Sequence, residues 1–171
     1  MSESLSSSTE ARWDVLARAA AARDADAPEE AGLLQLLRFD VAGAPYALPV
    51  PVVREIVRLR TITPLPRVAR SVRGVISLRG EILQVIDLRE RLGLPRGPDT
   101  KASRIIVVHD EAGDQAGVCI DAVRDVIRVS EDALRPPVAG DSGDLVESLC
   151  AHDNGYVSVL DLGRILEATD G

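Results

Sequence analysis

Aromatic side chains are scarce in this 171-residue sequence: Trp13, Phe39, Tyr46 and Tyr156 are all it has, 2% of the chain. A hydrophobic core must then come from Val, Ile, Leu and Ala, and there is no material for a platform that stacks bases or sugars. Histidine is rarer still, with His109 and His152 alone. The one compact set of potential metal ligands, Cys150, His152 and Asp153, lacks a partner at the spacing zinc sites use. Cys150 with His152 also lacks a third group to orient a base, as nucleophilic catalysis requires. The glycines between Arg73 and Gly80 are not followed by the Lys-Ser or Lys-Thr of a triphosphate-binding loop. Cys119 lies in an apolar run and reads as a small buried hydrophobe, with no CxxC in the chain. No leader is visible and no apolar stretch approaches the roughly 18 residues of a membrane span. These absences predict a cytoplasmic protein that is not an enzyme, holds no metal or cofactor and does not insert into a membrane.

Charge is abundant but unevenly placed. The formal net charge is -7 and the pI about 4.9, which disfavours nucleic acid and anionic membranes as partners. Residues 1–34 carry seven acids against three bases, while residues 51–91 hold nine Arg against four acids. The second stretch points to an acidic partner surface, with a merely well-solvated face as the plainer alternative.

The first 33 residues read as an acidic extension. Ser7 and Glu10 fit a capping box, and Trp13, Leu16, Ala17, Ala20 and Ala21 recur at helical spacing up to about Asp26 and Pro28. From Leu34 the pattern changes to short apolar runs broken by Gly, Pro and Asp, as an all-β chain requires. Strands are expected at 34–41, 44–50, 56–63, 75–77, 82–87, 104–109, 115–120, 126–129 and 156–161. Pro49 and Pro51 should carry the chain out of the sheet into a short helical turn. Asp87 and Asp161 should cap helical turns running to Leu92 and Leu166.

The chain also repeats itself. Residues 36–59 lie over residues 106–129 at a constant offset of 70, matching Asp40 with Asp110, Gly43 with Gly113, Val53 with Val123 and Arg54 with Arg124. A second echo joins VIDLRERL at Val85–Leu92 to VLDLGRIL at Val159–Leu166. The same order of elements occurring twice predicts two similar small β-barrels.

Four segments carry a resemblance: YALPVPVVREI at Tyr46–Ile56, VRGVISLRGEILQVIDLRERLG at Val72–Gly93, IIVVHDEAGDQAGVCIDAVRDVIRV at Ile105–Val129 and SVLDLGRIL at Ser158–Leu166. Together they make Leu34–Ala168 similar to the CheW-like domain family, which includes the coupling proteins of bacterial chemotaxis and is related to the regulatory domain of the CheA histidine kinase. The resemblance implies two five-stranded SH3-like barrels with short helices over residues 34–168, in addition to the N-terminal helix. The second barrel would lie mainly within 73–135, and the first would be completed by the C-terminal segment. It also implies a non-catalytic scaffold in the cytoplasm, recruited to chemoreceptor arrays, that links the cytoplasmic tip of chemoreceptors to the regulatory domain of a CheA-type histidine kinase. A CheW-like adaptor of a non-flagellar pathway is the near alternative, and a small-ligand-binding barrel or an enzyme the distant one. The stretch Val146–Tyr156 departs from the family pattern, lacking its glycine-flanked apolar turn.

By the same resemblance Val53, Glu55, Gly74 and Arg79 fall on the receptor-binding face. Each has a plainer reading. Arg79 could pair with Glu81 or Asp87, Val53 could be core, and Glu55 could be a solvated partner of Arg54 or Arg58. No residue is assigned to the kinase side.

Overall fold

The structure is a computed structural model and describes residues 33–138 and 143–167, so the helix expected near Trp13 lies outside the described residues. Eleven strands follow in order: β1 Leu33–Val41, β2 Ala44–Pro49, β3 Val53–Arg58, β4 Val72–Leu78, β5 Glu81–Asp87, β6 Arg104–His109, β7 Gln115–Ile120, β8 Ala122–Ser130, β9 Leu134–Arg135, β10 Val146–His152 and β11 Gly155–Leu160. Two short helices, α1 Leu88–Arg91 and α2 Leu162–Leu166, follow β5 and β11. As expected, the prolines divert the chain into a 3-10 turn at Val50–Val52. The Asp87 carboxylate accepts from the Arg89 and Glu90 amides, and that of Asp161 from the Arg164 amide.

The strands form two sheets. One has six strands in the order β8-β1-β2-β11-β10-β9 and the other five in the order β3-β6-β7-β5-β4. The sixth strand, β9, is a two-residue addition beside β10. Without it the two orders correspond strand for strand. The parallel contacts match too: Val85 lies opposite Gly117 and Val159 opposite Ala47, each pair being the other's counterpart in the repeat.

Chain order differs between the sheets. The second sheet is contiguous, from Val53 to Ile120, whereas the first is made by β1 and β2 together with β8 to β11. The unit placed at 73–135 from sequence is therefore displaced: Ala122–Ser130 pairs with β1 in the first sheet, and Val53–Arg58 pairs with β6 in the second. The repeat begins at the fourth strand of a five-strand unit, so its copies are not the sheets.

Period-two alternation explains why the apolar runs are continuous. In β6, Ile105 and Val107 enter the core of the second sheet with Ile76, Leu83, Val85 and Cys119. Ile106 and Val108 point the other way, into a core shared by both sheets with Leu37, Phe39, Leu48, Ile86 and Leu160. A third cluster, of Leu36, Ala47, Ile127, Val129, Cys150, Val157 and Val159, belongs to the first sheet. Strands covered on both faces have no polar phase.

Because the central cluster draws on both sheets, they should unfold together. We expect a single transition in urea whose midpoint coincides by circular dichroism and by amide exchange. Deletion of residues 1–30 should preserve that cooperativity, since described residues from Leu34 onward build all three clusters. A broadened, multi-step transition in the truncated chain would contradict this expectation.

Candidate functional site

The β4–β5 hairpin closes on two residues, Arg79 and Gly80, with φ of +52° and +82°. Both central residues of a type I′ turn need positive φ, which Gly80 adopts freely and Arg79 does not. The Arg79 side chain is tied down: Nη2 lies 3.1 Å from Glu55 Oε2, and Nε donates to Glu55 Oε1 at 3.4 Å. Glu55 stands on β3, and its side chain is 12% exposed against 73% for Arg79. A sheltered carboxylate thus aims a guanidinium that remains presented to solvent, with donors left for a partner.

The structure therefore joins two of the four sequence candidates in one ion pair, and neither takes the partner considered from sequence. Asp87, one of those considered for Arg79, instead caps α1 and lies 3.5 Å from Arg96 Nε. Gly74 is held elsewhere on the same sheet. It sits at a bulge in β4 with φ of +146°, where the chain beyond β3 crosses the edge strand. Thr63 and Val75 exchange N–H···O bonds of 2.9 Å in each direction there. Val53 opens β3 opposite Val108 and packs, half-buried, against the shared core.

Ile82, which sequence reasoning passed over as an ordinary strand residue, is 75% exposed three positions beyond Arg79. Its phase was the available signal, since Leu83 and Val85 point inward. An exposed branched apolar side chain beside an oriented Arg is a combination found in protein–protein contacts.

Part of the local surplus of Arg is taken up within the chain. Arg73 pairs with Asp99 at 2.9 Å and Arg89 with Asp121 at 2.5 Å, both acids lying outside residues 51–91. Arg91 donates to the Arg164 carbonyl. Arg54, Arg60 and Arg67 remain exposed, and Arg70, 91% exposed, lies 3.9 Å from Glu90, so Arg79 is one of several exposed cations in this stretch and is the one a sheltered acid orients.

Cys119 is enclosed between the second sheet and Arg73, whose Nη1 lies 3.5 Å from the sulfur. Burial pushes the thiol up from 9.0 to about 11, with Arg73 pulling the other way. The Asp99 hydrogen bond holds Arg73 above its ordinary value. A thiol raised on folding stabilises the protein fully below its unfolded pKa and loses that contribution as pH climbs through its folded pKa. Between roughly pH 9 and 11 the wild type should therefore lose about 2–3 kcal/mol that a Cys119→Val variant keeps, as measured by urea unfolding at both ends of the window. Equal losses in the two proteins would sink the assignment.

Of the remaining reactive residues, Cys150 is buried in the first sheet's core, with its thiol toward the Ala151 carbonyl at 3.6 Å. His152 Nε2 lies 3.2 Å from Asp153 Oδ2. Among the described residues no group of three or more His, Cys, Asp or Glu side chains is arranged to hold a metal ion. Nor is any helix among them long and apolar enough to cross a membrane.

Comparison with known proteins agrees with this architecture. The chemotaxis protein CheW of Bacillus subtilis (strain 168) is 32% identical over 136 residues, covering 78% of this chain and 86% of that protein. The chemotaxis protein CheW of Thermotoga maritima is 29% identical over 144 residues, covering 84% and 92%. The crystal structure of the scaffolding protein TtCheW from Thermoanaerobacter tengcongensis superposes with a TM-score of 0.73 at 33% identity, covering 78% of this chain and 92% of that one. The family model described as CheW-like domain matches residues 35–170, and on that match, with the paired sheets in support, the chain belongs to the CheW-like domain family.

Proposed function

We propose that this protein couples chemoreceptors to a CheA-type histidine kinase, and that Val53, Glu55, Gly74 and Arg79 belong to its receptor-binding face, with the Glu55–Arg79 pair at its centre. The chain is a non-catalytic, CheW-type scaffold of chemotaxis signalling, supported by relatives named as chemotaxis and scaffolding proteins. The observation that carries the receptor face is the Glu55–Arg79 pair, in which a sheltered acid orients an exposed guanidinium beside exposed Ile82. A helical receptor tip offers carboxylates and terminal carbonyls to such a fork, and apolar side chains to Ile82.

Two five-stranded SH3-like barrels within residues 34–168 are the finer form of this fold. Closure of the second is supported by the Thr63–Val75 bridge and the Glu55–Arg79 pair, which join the two edges of its sheet. Completion of the first by the C-terminal segment is supported by the pairing of β11 with β2. The protein works in the cytoplasm and is recruited to receptor arrays.

Retention from native cell extract tests the proposal. The wild-type protein should retain both a chemoreceptor and a CheA-type kinase, and an Arg79→Glu variant should keep the kinase and lose the receptor. Retention of neither partner by the wild type would overturn the coupling role. Simultaneous loss of both partners by a variant with an altered unfolding transition would make Arg79 structural.

A further inference from the structure

The chain passes from the first sheet to the second between β2 and β3 and returns between β7 and β8, and the repeat makes these two crossings counterparts. They are filled differently. At the return, Arg89 of α1 grips Asp121: Nη2 lies 2.5 Å from Oδ2, and Nε donates to Oδ1 at 3.2 Å. Asp121 also accepts from the Ala42 amide at 2.8 Å, which fixes the pair against the β1–β2 turn. In the echo of VIDLRERL by VLDLGRIL the counterpart of Arg89 is Gly163, and at the offset of 70 the counterpart of Asp121 is Pro51. The outward crossing therefore lacks both the cation and its acid.

A pocket of about 650 Å³ opens there, with Pro49, Val52 and Leu160 in its apolar lining and Gly163 at its border. A Cβ built on Gly163 would meet Asp161 Oδ1 at 3.3 Å and, outside its own helix, nothing else within 4 Å. Charge has changed as well as volume. Glu147 lines the pocket where the return crossing has Arg73, each being the bulged residue of its strand, one position before Ser148 and Gly74. The turn that replaces Ala42 and Gly43 adds Asp110 and Glu111, and no Arg or Lys lines the pocket. Asp110 and Asp161 are engaged locally, by the Asp114 and Arg164 amides. Glu111 and Glu147 are exposed and paired with no cation among the described residues.

We propose that this pocket receives an arginine side chain from a partner protein, its stem lying along Val52 and Leu160 and its guanidinium held by Glu111 and Glu147. Arg89 supplies from within the chain, at one crossing, what a partner supplies at the other. An aliphatic stem ending in a planar, permanently charged fork suits an apolar pocket bordered by carboxylates. Arginine anchors seated in such pockets carry a large share of the energy of protein–protein contacts. The pocket shares no residue with Val53, Glu55, Gly74 and Arg79, so its partner need not be the one that binds at that face.

Two blocked tripeptides serve as probes, acetyl-Leu-Arg-Leu-amide and its citrulline analogue, which keeps the shape of the arginine and removes its charge. Titrated into the full-length protein, the arginine peptide should move the amide NMR signals of Ala112, Glu147 and Gly163 saturably and bind about tenfold more tightly than the citrulline peptide. Glu111→Gln combined with Glu147→Gln should bring the two affinities together while the urea transition stays unchanged. Gly163→Arg, which rebuilds within the chain the side chain of the return crossing, should abolish binding of both peptides. Should Gly163→Arg fail to fold, the double glutamine variant decides alone. The absence of a saturable shift, equal affinity of the wild type for the two peptides, an arginine preference that survives in the glutamine variant, or binding that persists in a folded Gly163→Arg would overturn the proposal. Movement of the same signals on diluting the protein alone would assign the pocket to a contact between copies of this chain and reject an outside partner.

Discussion

A Gly74→Ala protein should be less stable than wild type by about 3 kcal/mol or more, or fail to fold, although only one methyl group is added. Two costs coincide at this position. The φ of +146° belongs to a region that L side chains rarely adopt. A Cβ built there would lie 2.6 Å from the Thr63 carbonyl carbon and closer still to its oxygen, with Ile62 Cγ2 at 3.0 Å. These neighbours are mostly backbone, so relief requires the crossing segment to leave β4. Leaving breaks the two 2.9 Å bonds between Thr63 and Val75, each worth about 1 kcal/mol. Gly80 supplies the control. Its φ is +82°, yet a Cβ there meets nothing within 4 Å, so Gly80→Ala should cost only about 1 kcal/mol of strain. Urea midpoints for both variants, with exchange rates of the Thr63 and Val75 amides, check the comparison. A Gly74→Ala midpoint equal to that of Gly80→Ala would show that the bulge relaxes.

The same glycine illustrates what sequence could and could not supply. Its resemblance to a family position marked it as functional, but nothing local announced a backbone crossing from residues 62 and 63. Contacts between a strand edge and a loop leave no periodic trace. The caps at Asp87 and Asp161 were legible because their chemistry is local, an acid placed directly before a helical turn.

The internal repeat was legible but shifted in one strand. At the offset of 70, Leu48 and Val118 both enter the shared core, as do Val53 and Val123. Likewise Val85 and Val159, 74 residues apart, face the cores of their respective sheets. In β1 the offset of 70 matches Leu36 with Ile106, but Leu36 faces the first sheet's core and Ile106 the shared one. Leu37 is the structural counterpart of Ile106, since Leu37 pairs with Leu48 and Ile106 with Val118. A one-residue slip reverses every side chain of a strand, and a run such as IIVV hides it because both phases are apolar. The added residue is accommodated in the Asp110–Asp114 turn, which replaces the two-residue turn at Ala42 and Gly43.

The strand β10 escaped the reading for a related reason. Its sequence, VESLCAH, buries Val146 and Cys150 between polar residues and offers no continuous apolar run. The turn that follows it was the better signal, because Asp153 and Asn154 adopt φ of +47° and +64° before Gly155. It is the counterpart, 74 residues on, of the turn at Arg79 and Gly80. Tyr156 likewise corresponds to Ile82, and both are exposed. The two tips share their backbone and differ in charge, Arg in one and Asp in the other, so the fold alone does not decide which of them binds a receptor.

Reversing the charge at Arg79 should separate what the tip does for the fold from what it does for a partner. The guanidinium is 73% exposed, and exposed ion pairs contribute only about 0.2–1 kcal/mol, so Arg79→Glu should remain folded even with a new carboxylate facing Glu55. Binding has more to lose. The variant removes a donor fork from the proposed contact and substitutes a charge of the partner's own sign, which should cost about 2–5 kcal/mol, roughly 30-fold or more in affinity for a receptor cytoplasmic fragment. The double variant Glu55→Arg with Arg79→Glu is the discriminating protein. It restores an ion pair at the same place with the sheltered and exposed signs exchanged. Stability should therefore return to near the wild-type value while receptor affinity stays low. Recovery of receptor binding in the double variant would mean that the pair acts only through the fold. Arg79→Lys should fall between, because it keeps the charge but loses the planar fork and cannot grip two acceptors at fixed angles. Titration calorimetry against the receptor fragment, run beside urea unfolding of each variant, places all four proteins on both scales, and an Arg79→Glu affinity within about twofold of wild type would remove the receptor face from this tip.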